Sequence, residues 1–242
     1  MPLGAALRGM NILVIDVGGT HVKILASGQA TLRKMDSGPT LTPRQMVARV
    51  KALAKGWKYD RVSIGYPGVV VRNHPVYEPH NLGKGWVHFD YEKAFGCPVR
   101  IVNDAAMQAL GGYGGGKMLF LGFGTGLGTA LIVDGMLVPM ELAHLPYKEA
   151  TFEDYVGEHA MERDGKTKWR KHCKDVIERL SAALEPEDIV LGGGNAVHFT
   201  ELPPRCRLGA NANAFPGGLR MWDDQGPSKP RRQAKRVTRK RR

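Results

Sequence analysis

The sequence predicts an α/β protein of two lobes, each a mixed sheet with helices packed on it. Two observations carry this expectation. Near the N-terminus, short strands punctuated by glycine are followed by an amphipathic helix and further buried strands; the same layout restarts at Lys117. A third observation sets the scale: 242 residues suffice for one large domain or for two small lobes sharing a cleft.

The elements follow in order. NILVIDV (11–17) alternates well enough for a strand, and HVKILASG and QATLRKM add two more, turning at Gly28 and Gln29, to complete an antiparallel meander. TPRQMVARVKALAKGW is a helix with Thr42 as N-cap and Pro43 at its first position. Its apolar face collects Met46, Val47, Val50, Leu53, Ala54 and Trp57. RVSIGYPG and PVRIVND read as buried strands ending in polar or glycine residues, where parallel strands meet a cleft. From Lys117, KMLFLGFG, GTALIVDG and MLVPM repeat the meander. KTKWRKHCKDVIERLSAALEP keeps Trp169, Cys173, Val176, Ile177, Leu180 and Leu184 at helical spacing, and DIVLGGG is a strand running into a glycine turn. The folded part is expected to close near Trp222. This gives an N-terminal lobe over 10–110, a C-terminal lobe over 111–222 and a basic tail over 223–242.

Composition narrows the function classes. Hydrophobic residues at 43% and charged residues at 24% match an ordinary globular chain and exclude fibrous or wholly disordered classes. No window reaches eighteen consecutive apolar residues, and MPLGAALRGM is too short and interrupted for a signal-peptide core, so a cytoplasmic protein with no membrane partner is expected. Cys97, Cys173 and Cys206 form no C-x-x-C pair, which argues against structural zinc and against a disulfide framework. The net charge of +12 is concentrated: SKPRRQAKRVTRKRR holds nine cations and no acid, and without it the chain carries only +3. The question of an anionic partner therefore belongs mostly to that tail, which lacks the apolar content to fold alone.

The chemistry gathers in glycine turns. Asp16 ends a strand and is followed by Gly18, Gly19 and Thr20, a turn whose backbone N–H groups can approach a phosphate while the carboxylate holds a hydrated metal ion. A tight hairpin that merely needs glycine fits the same residues. LGFGTGLGTAL, with Gly122, Gly124, Gly126 and Gly128 around Thr125, adds a second phosphate-sized loop at the head of the second meander and tips the reading toward phosphate. Neither G-x-x-x-x-G-K-[ST] nor G-x-G-x-x-G occurs, so the P-loop and Rossmann readings lose their fingerprint. Gly192, Gly193 and Gly194 either line a nucleotide or form a simple strand-to-helix turn. Asn103 and Asp104 lie at a strand end, where Asp104 serves either as a cleft carboxylate or as a helix N-cap before AAMQAL.

DVGGTHVK, GYPGVV, NLGKGW, VNDAAMQAL, GFGTGLGTALIVDG, ELAHL and LGGG stand together in one order over roughly residues 11–222. In this the chain resembles the ROK sugar kinases of the actin/hexokinase/Hsp70 superfamily, above all the polyphosphate glucokinases. The resemblance implies an actin-like ATPase (ribonuclease H-like) fold and transfer of a phosphoryl group to the 6-hydroxyl of glucose or a related hexose. The implied donor is ATP or polyphosphate, with Mg²⁺ near Asp16. It further implies Asp104 as catalytic base and Asn103, Asp104, Glu141, His144 and Glu153 as sugar-binding residues. Asp16, Gly18, Gly19, Thr20, Lys23, Gly124, Thr125, Gly126, Gly193 and Gly194 would then hold the donor. Two departures matter: Ala143 stands where the family motif has glycine, and the cysteine-rich zinc motif is missing, as it is in polyphosphate glucokinases, so no zinc is expected. A homodimer is expected, and the tail is either a solvated, functionally silent extension or a contact for polyphosphate or nucleic acid. The competing reading is a sugar-responsive regulator or an inactive sugar sensor. The regulator lacks support because only ten residues precede the first strand, too few for a DNA-recognition helix.

Overall fold

The computed structural model describes residues 9–223; the basic tail, beyond Asp223, lies outside the described residues. Two five-stranded mixed sheets organise the chain. The first contains β1 (Ile12–Val17), β2 (His21–Ala26), β3 (Arg33–Asp36), β4 (Arg61–Tyr66) and, at its far edge, β7 (Val99–Asn103), in the order β3-β2-β1-β4-β7. β1 is central and buried on both faces, which accounts for its nearly continuous apolar run. It pairs antiparallel with β2 and parallel with β4, while β7 runs parallel to β4. Between β4 and β7 lie the two-residue strands β5 (Val70–Val71) and β6 (His74–Pro75) and the short helix α2 (Tyr91–Phe95).

Helix α1 (Pro43–Leu53) begins as expected. Thr42 Oγ1 accepts from Gln45 N, and Gln45 Oε1 accepts in turn from Thr42 N at 2.9 Å, closing a capping box. It ends four residues before Trp57, which packs against the same core from outside the helix with the Arg33 guanidinium 4.1 Å from its ring centroid. Met46, Val47 and Val50 pack beneath the first sheet with Leu13, Ile15, Ile64 and Trp86.

Helix α3 (Asp104–Gly112) leaves the first sheet and leads to the second. That sheet contains β8 (Lys117–Phe123), β9 (Leu127–Val133), β10 (Met136–Met140), β13 (Asp188–Gly192) and β14 (Cys206–Leu208), in the order β10-β9-β8-β13-β14. After β10 come a 3-10 turn at Leu142–His144, the hairpin β11 (Pro146–Tyr147) and β12 (Ala150–Thr151), and α4 (Phe152–Val156). α5 (Glu158–Leu184) reaches further toward the N-terminus than its apolar spacing indicates and is broken at Gly165, whose φ of 76° is non-helical. Trp169, Cys173, Val176, Ile177 and Leu180 pack its inner face on Leu119, Leu121 and Phe123.

The other faces of the two sheets are joined by α3 and α6 (Ala214–Arg220). Ala105, Ala106 and Ala109 of α3 pack on Phe120, Ala130 and Val190 of the second sheet. Met107 of the same helix, with Ala214, Phe215 and Trp222, packs on Ile12 and Val14 of the first. The expected lobe boundary near residue 110 thus falls within α3, and the C-terminal helix returns to the first sheet. Buried Ser63 pins it there: its hydroxyl donates to Gly218 O at 2.6 Å and accepts from Trp222 Nε1 at 2.9 Å. Among the described residues no helix is long and apolar enough to cross a membrane, and Cys97, Cys173 and Cys206 are free thiols.

Candidate active site

Strand register brings the first carboxylates together. Asp16 lies opposite Gly65 on β4, and the next residue along β4, Tyr66, lies opposite Asn103 on β7. Gly65 sits where a Cβ would press on the end of the Met107 side chain and lie 3.5 Å from Asp104 Cα. Asp16 and Asp104 therefore flank a strip of bare backbone at the ends of parallel strands.

Asn103 rather than Asp104 caps α3: its Oδ1 accepts from Ala105 N at 2.9 Å and Ala106 N at 3.2 Å, and its Nδ2 donates to Gly68 O at 3.2 Å. Asp104 occupies the first helical position and accepts from Ala105 N at 2.8 Å. Its carboxyl is pushed up to about 7, first by burial and then by the charge of Asp16; the Ala105 amide opposes the shift and Glu141 adds to it. Burial also raises Asp16, against the pull of Lys23, whose Nζ stands 3.9 Å from Asp16 Oδ2.

The second loop closes on the same place. Gly128 at the start of β9 packs against the Ala105 side chain, beside Asp104. Gly124 N donates to Gly126 O at 3.0 Å, forming a tight turn with Thr125 exposed at its tip. The turn is held by α5, whose first amide, Glu158 N, donates to Gly124 O at 2.9 Å, and by buried Asn195, whose Nδ2 donates to the same oxygen at 3.2 Å. Asn195 follows Gly193 and Gly194, so the third glycine cluster is tied directly to the second loop. The first loop is supported by Ser37, whose hydroxyl donates to Gly18 O at 2.7 Å, and Gly19 faces Asn81.

Glu141 and His144 stand at either end of the 3-10 turn with much of their surface exposed, and partial burial of the Glu141 carboxyl raises it while His144 opposes the shift. Ala143, between them, points into the core at 2% exposure, so its additional methyl is absorbed by packing. Thr20 is exposed on the first turn. Glu153 is committed differently: its Oε2 accepts from Leu127 N at 3.0 Å, and its carboxylate fills the space where a Gly126 Cβ would sit.

The ROK family profile matches residues 12–139. A polyphosphate glucokinase from Mycobacterium tuberculosis is 31% identical over 206 residues, covering 74% of this chain and 76% of that protein. This chain belongs to the ROK family. Among solved structures, the inorganic polyphosphate/ATP-glucomannokinase of Arthrobacter sp. strain KM matches with TM-score 0.76 at 23% identity, over 88% of this chain and 98% of that one. A ROK family glucokinase from Streptomyces griseus, in complex with glucose and AMPPNP, matches with TM-score 0.71 at 16% identity, over 87% and 98%. These likenesses establish the actin-like α/β fold.

Within this ROK chain, the sequence had not singled out Asn81, Glu158, Asn195 or Ser37 as site residues. Asn81 lies in the quoted NLGKGW, which offered a signal; the others make contacts to residues remote in sequence. Among the described residues no cluster of three or more His, Cys, Asp or Glu could hold a metal ion, so a hard divalent cation would rest on the Asp16 carboxylate alone. One carboxylate at the floor of a phosphate-sized turn, completed by donor phosphates and water, is how Mg²⁺ is commonly bound. Asp16 is the residue that would hold it.

Proposed function

We propose that this chain transfers the terminal phosphoryl group of polyphosphate or ATP to the 6-hydroxyl of glucose or a close relative. The observation that carries the reading is the Asp104 carboxyl, pushed up to about 7 at a helix start between two glycine turns. Such a group accepts a proton near neutral pH, as a general base must.

Glu141 and His144 grip sugar hydroxyls from the exposed turn and aim the 6-hydroxyl at Asp104. Asp104 takes its proton as the oxygen bonds to phosphorus; the anhydride bond breaks, leaving ADP or a polyphosphate shorter by one unit. The amides of Gly19, Thr20, Thr125 and Gly126 orient the donor phosphates, Gly18 N and Gly124 N being spent within the turns on His21 O and Gly126 O, and Lys23 adds positive charge beside them. A divalent cation at Asp16, when bound, supplies charge neutralisation on the donor oxygens. Asn103 contributes by fixing the first turn of α3 rather than by spending its capped oxygen on the sugar. Support for the sugar and donor classes comes from the relatives named above.

A panel assay tests this: glucose, mannose and N-acetylhexosamines, each against ATP and long-chain polyphosphate, with the phosphorylated sugar identified by ³¹P NMR. Phosphorylation of at least one hexose at O6 is expected. Absence of transfer to every sugar from both donors refutes the proposal.

A further inference from the structure

The turn carrying Glu141 and His144 is pinned at both ends. On its N-terminal side, buried Thr129 of β9 donates from Oγ1 to Met140 O at 2.8 Å and accepts from Leu142 N at 3.2 Å. On its C-terminal side, Leu145 N donates to Leu142 O at 3.1 Å, and the chain then enters β11. There the buried Tyr147 hydroxyl donates to Asp175 Oδ2 at 2.7 Å and lies 3.0 Å from His172 Nδ1. Both partners stand on α5.

The donor pattern is determined by counting protons. The Tyr147 proton goes to the Asp175 carboxylate, so the phenolic oxygen accepts from His172 Nδ1–H. His172 Nε2 then carries its lone pair into the interior, buried and without a hydrogen-bond partner among the described residues. A group left unpaired inside a core costs stability, and packing alone would be met equally well by an apolar side chain. Around the pair, Tyr155 packs edge-on against Tyr147 and obliquely against His172, and the cations of Lys148 and Arg179 stand 5.4 Å from the Tyr147 ring centroid. Arg179 Nε also donates to Asp175 Oδ1 at 3.0 Å, fixing the carboxylate that Tyr147 reaches.

We propose that Tyr147, held by Asp175 and His172, is a positioning residue that fixes the Glu141–His144 turn on α5 and so sets sugar affinity without touching the sugar. The inference rests on the sugar-binding role proposed for that turn. Tyr147 lies three residues beyond His144, with only Leu145 and Pro146 between, so loss of its hydroxyl anchor loosens one end of the turn, left to the β11–β12 pairing and to Phe152 N on Leu145 O, while Thr129 still holds the other.

The test compares wild type, Tyr147→Phe and the double variant Tyr147→Phe/His172→Leu. Tyr147→Phe leaves both nitrogens of His172 unpaired and is expected to be less stable; the double variant removes that orphaned ring and recovers the melting temperature. If the anchor positions the turn, the apparent KM for glucose rises about five- to tenfold in both variants, the equivalent of one hydrogen bond. The KM for ATP or polyphosphate stays within about twofold. Amide hydrogen exchange over 142–147 accelerates in both variants while amides of α5 beyond Gly165 keep their protection. A glucose KM that is unchanged in Tyr147→Phe, or that recovers together with stability in the double variant, overturns the proposal. Should the wild type transfer nothing to glucose, the exchange measurement decides alone: unaltered protection over 142–147 overturns the anchor, and accelerated exchange upholds it.

Discussion

Asp104→Asn should stabilise the folded protein while lowering its turnover by about two to four orders of magnitude. In the unfolded chain this carboxyl titrates at its ordinary value of 3.8, and in the fold it is pushed up to about 7. Between those values the native state holds the proton more tightly, so the wild type loses stability as pH rises from about 4 to about 7, then stays level. A rise of roughly three units corresponds to an upper limit of about 4 kcal/mol at about 1.36 kcal/mol each. Asp104 is only partly buried, and solvent screening reduces this to about 2 kcal/mol. Asparagine keeps the oxygen that accepts from Ala105 N and cannot ionise. Urea unfolding in the presence of a chelator, without sugar or donor, should show the variant level with wild type at pH 4 and about 2 kcal/mol more stable at pH 8. For a chain of this size that is a rise of about 4–8 °C in melting temperature. A variant less stable than wild type at pH 8, or a difference that does not change with pH, refutes the reasoning that burial and Asp16 hold this carboxyl high.

Glu141→Ala should raise the apparent KM for the sugar about tenfold and leave that of the donor within twofold, because a sugar hydroxyl loses its acceptor; initial rates at varied concentrations of each substrate decide it. Gly126→Val drives a side chain into the Glu153 carboxylate that props Leu127 N. Donor binding should be lost while sugar affinity by calorimetry persists; an equal loss of both would make the loop merely structural. Truncation after Gln225 removes cations that lie outside the described residues, so this expectation rests on composition: ATP-dependent rates hold, while the KM for long-chain polyphosphate rises at low salt and the gap narrows as salt increases. Identical polyphosphate kinetics at low salt would contradict it.

Local signals carried most of the fold. Thr42 and Pro43 marked the start of α1 because capping and a fixed φ act within one turn. The end of that helix was less legible, since Trp57 continues the apolar spacing although the helix has stopped at Leu53. The first turns of α5 were hidden by the polar run around Gly165, and α6, a glycine-rich seven-residue helix, has too little periodicity to show that it returns to β1. The site follows the same division. Asp16, Asn103 and Asp104 were readable at strand ends, but only strand register reveals that Gly65 brings them together. Glu153 entered as a sugar-binding residue through the family resemblance, its bond to Leu127 N being 26 residues away and unreadable, and the Tyr147–His172–Asp175 cluster spans 25 and 28 residues with no motif to signal it.

The central claim, that Asp104 removes the proton from a hexose hydroxyl during phosphoryl transfer, is tested most directly by one paired measurement on wild type and Asp104→Asn. Glucose affinity is read by calorimetry and the rate of glucose 6-phosphate formation by ³¹P NMR, with saturating polyphosphate or ATP. The account predicts equal glucose affinity and a turnover lower by about two to four orders of magnitude in the variant, the usual worth of a positioned general base. Turnover within a few-fold of wild type at equal glucose affinity would contradict it.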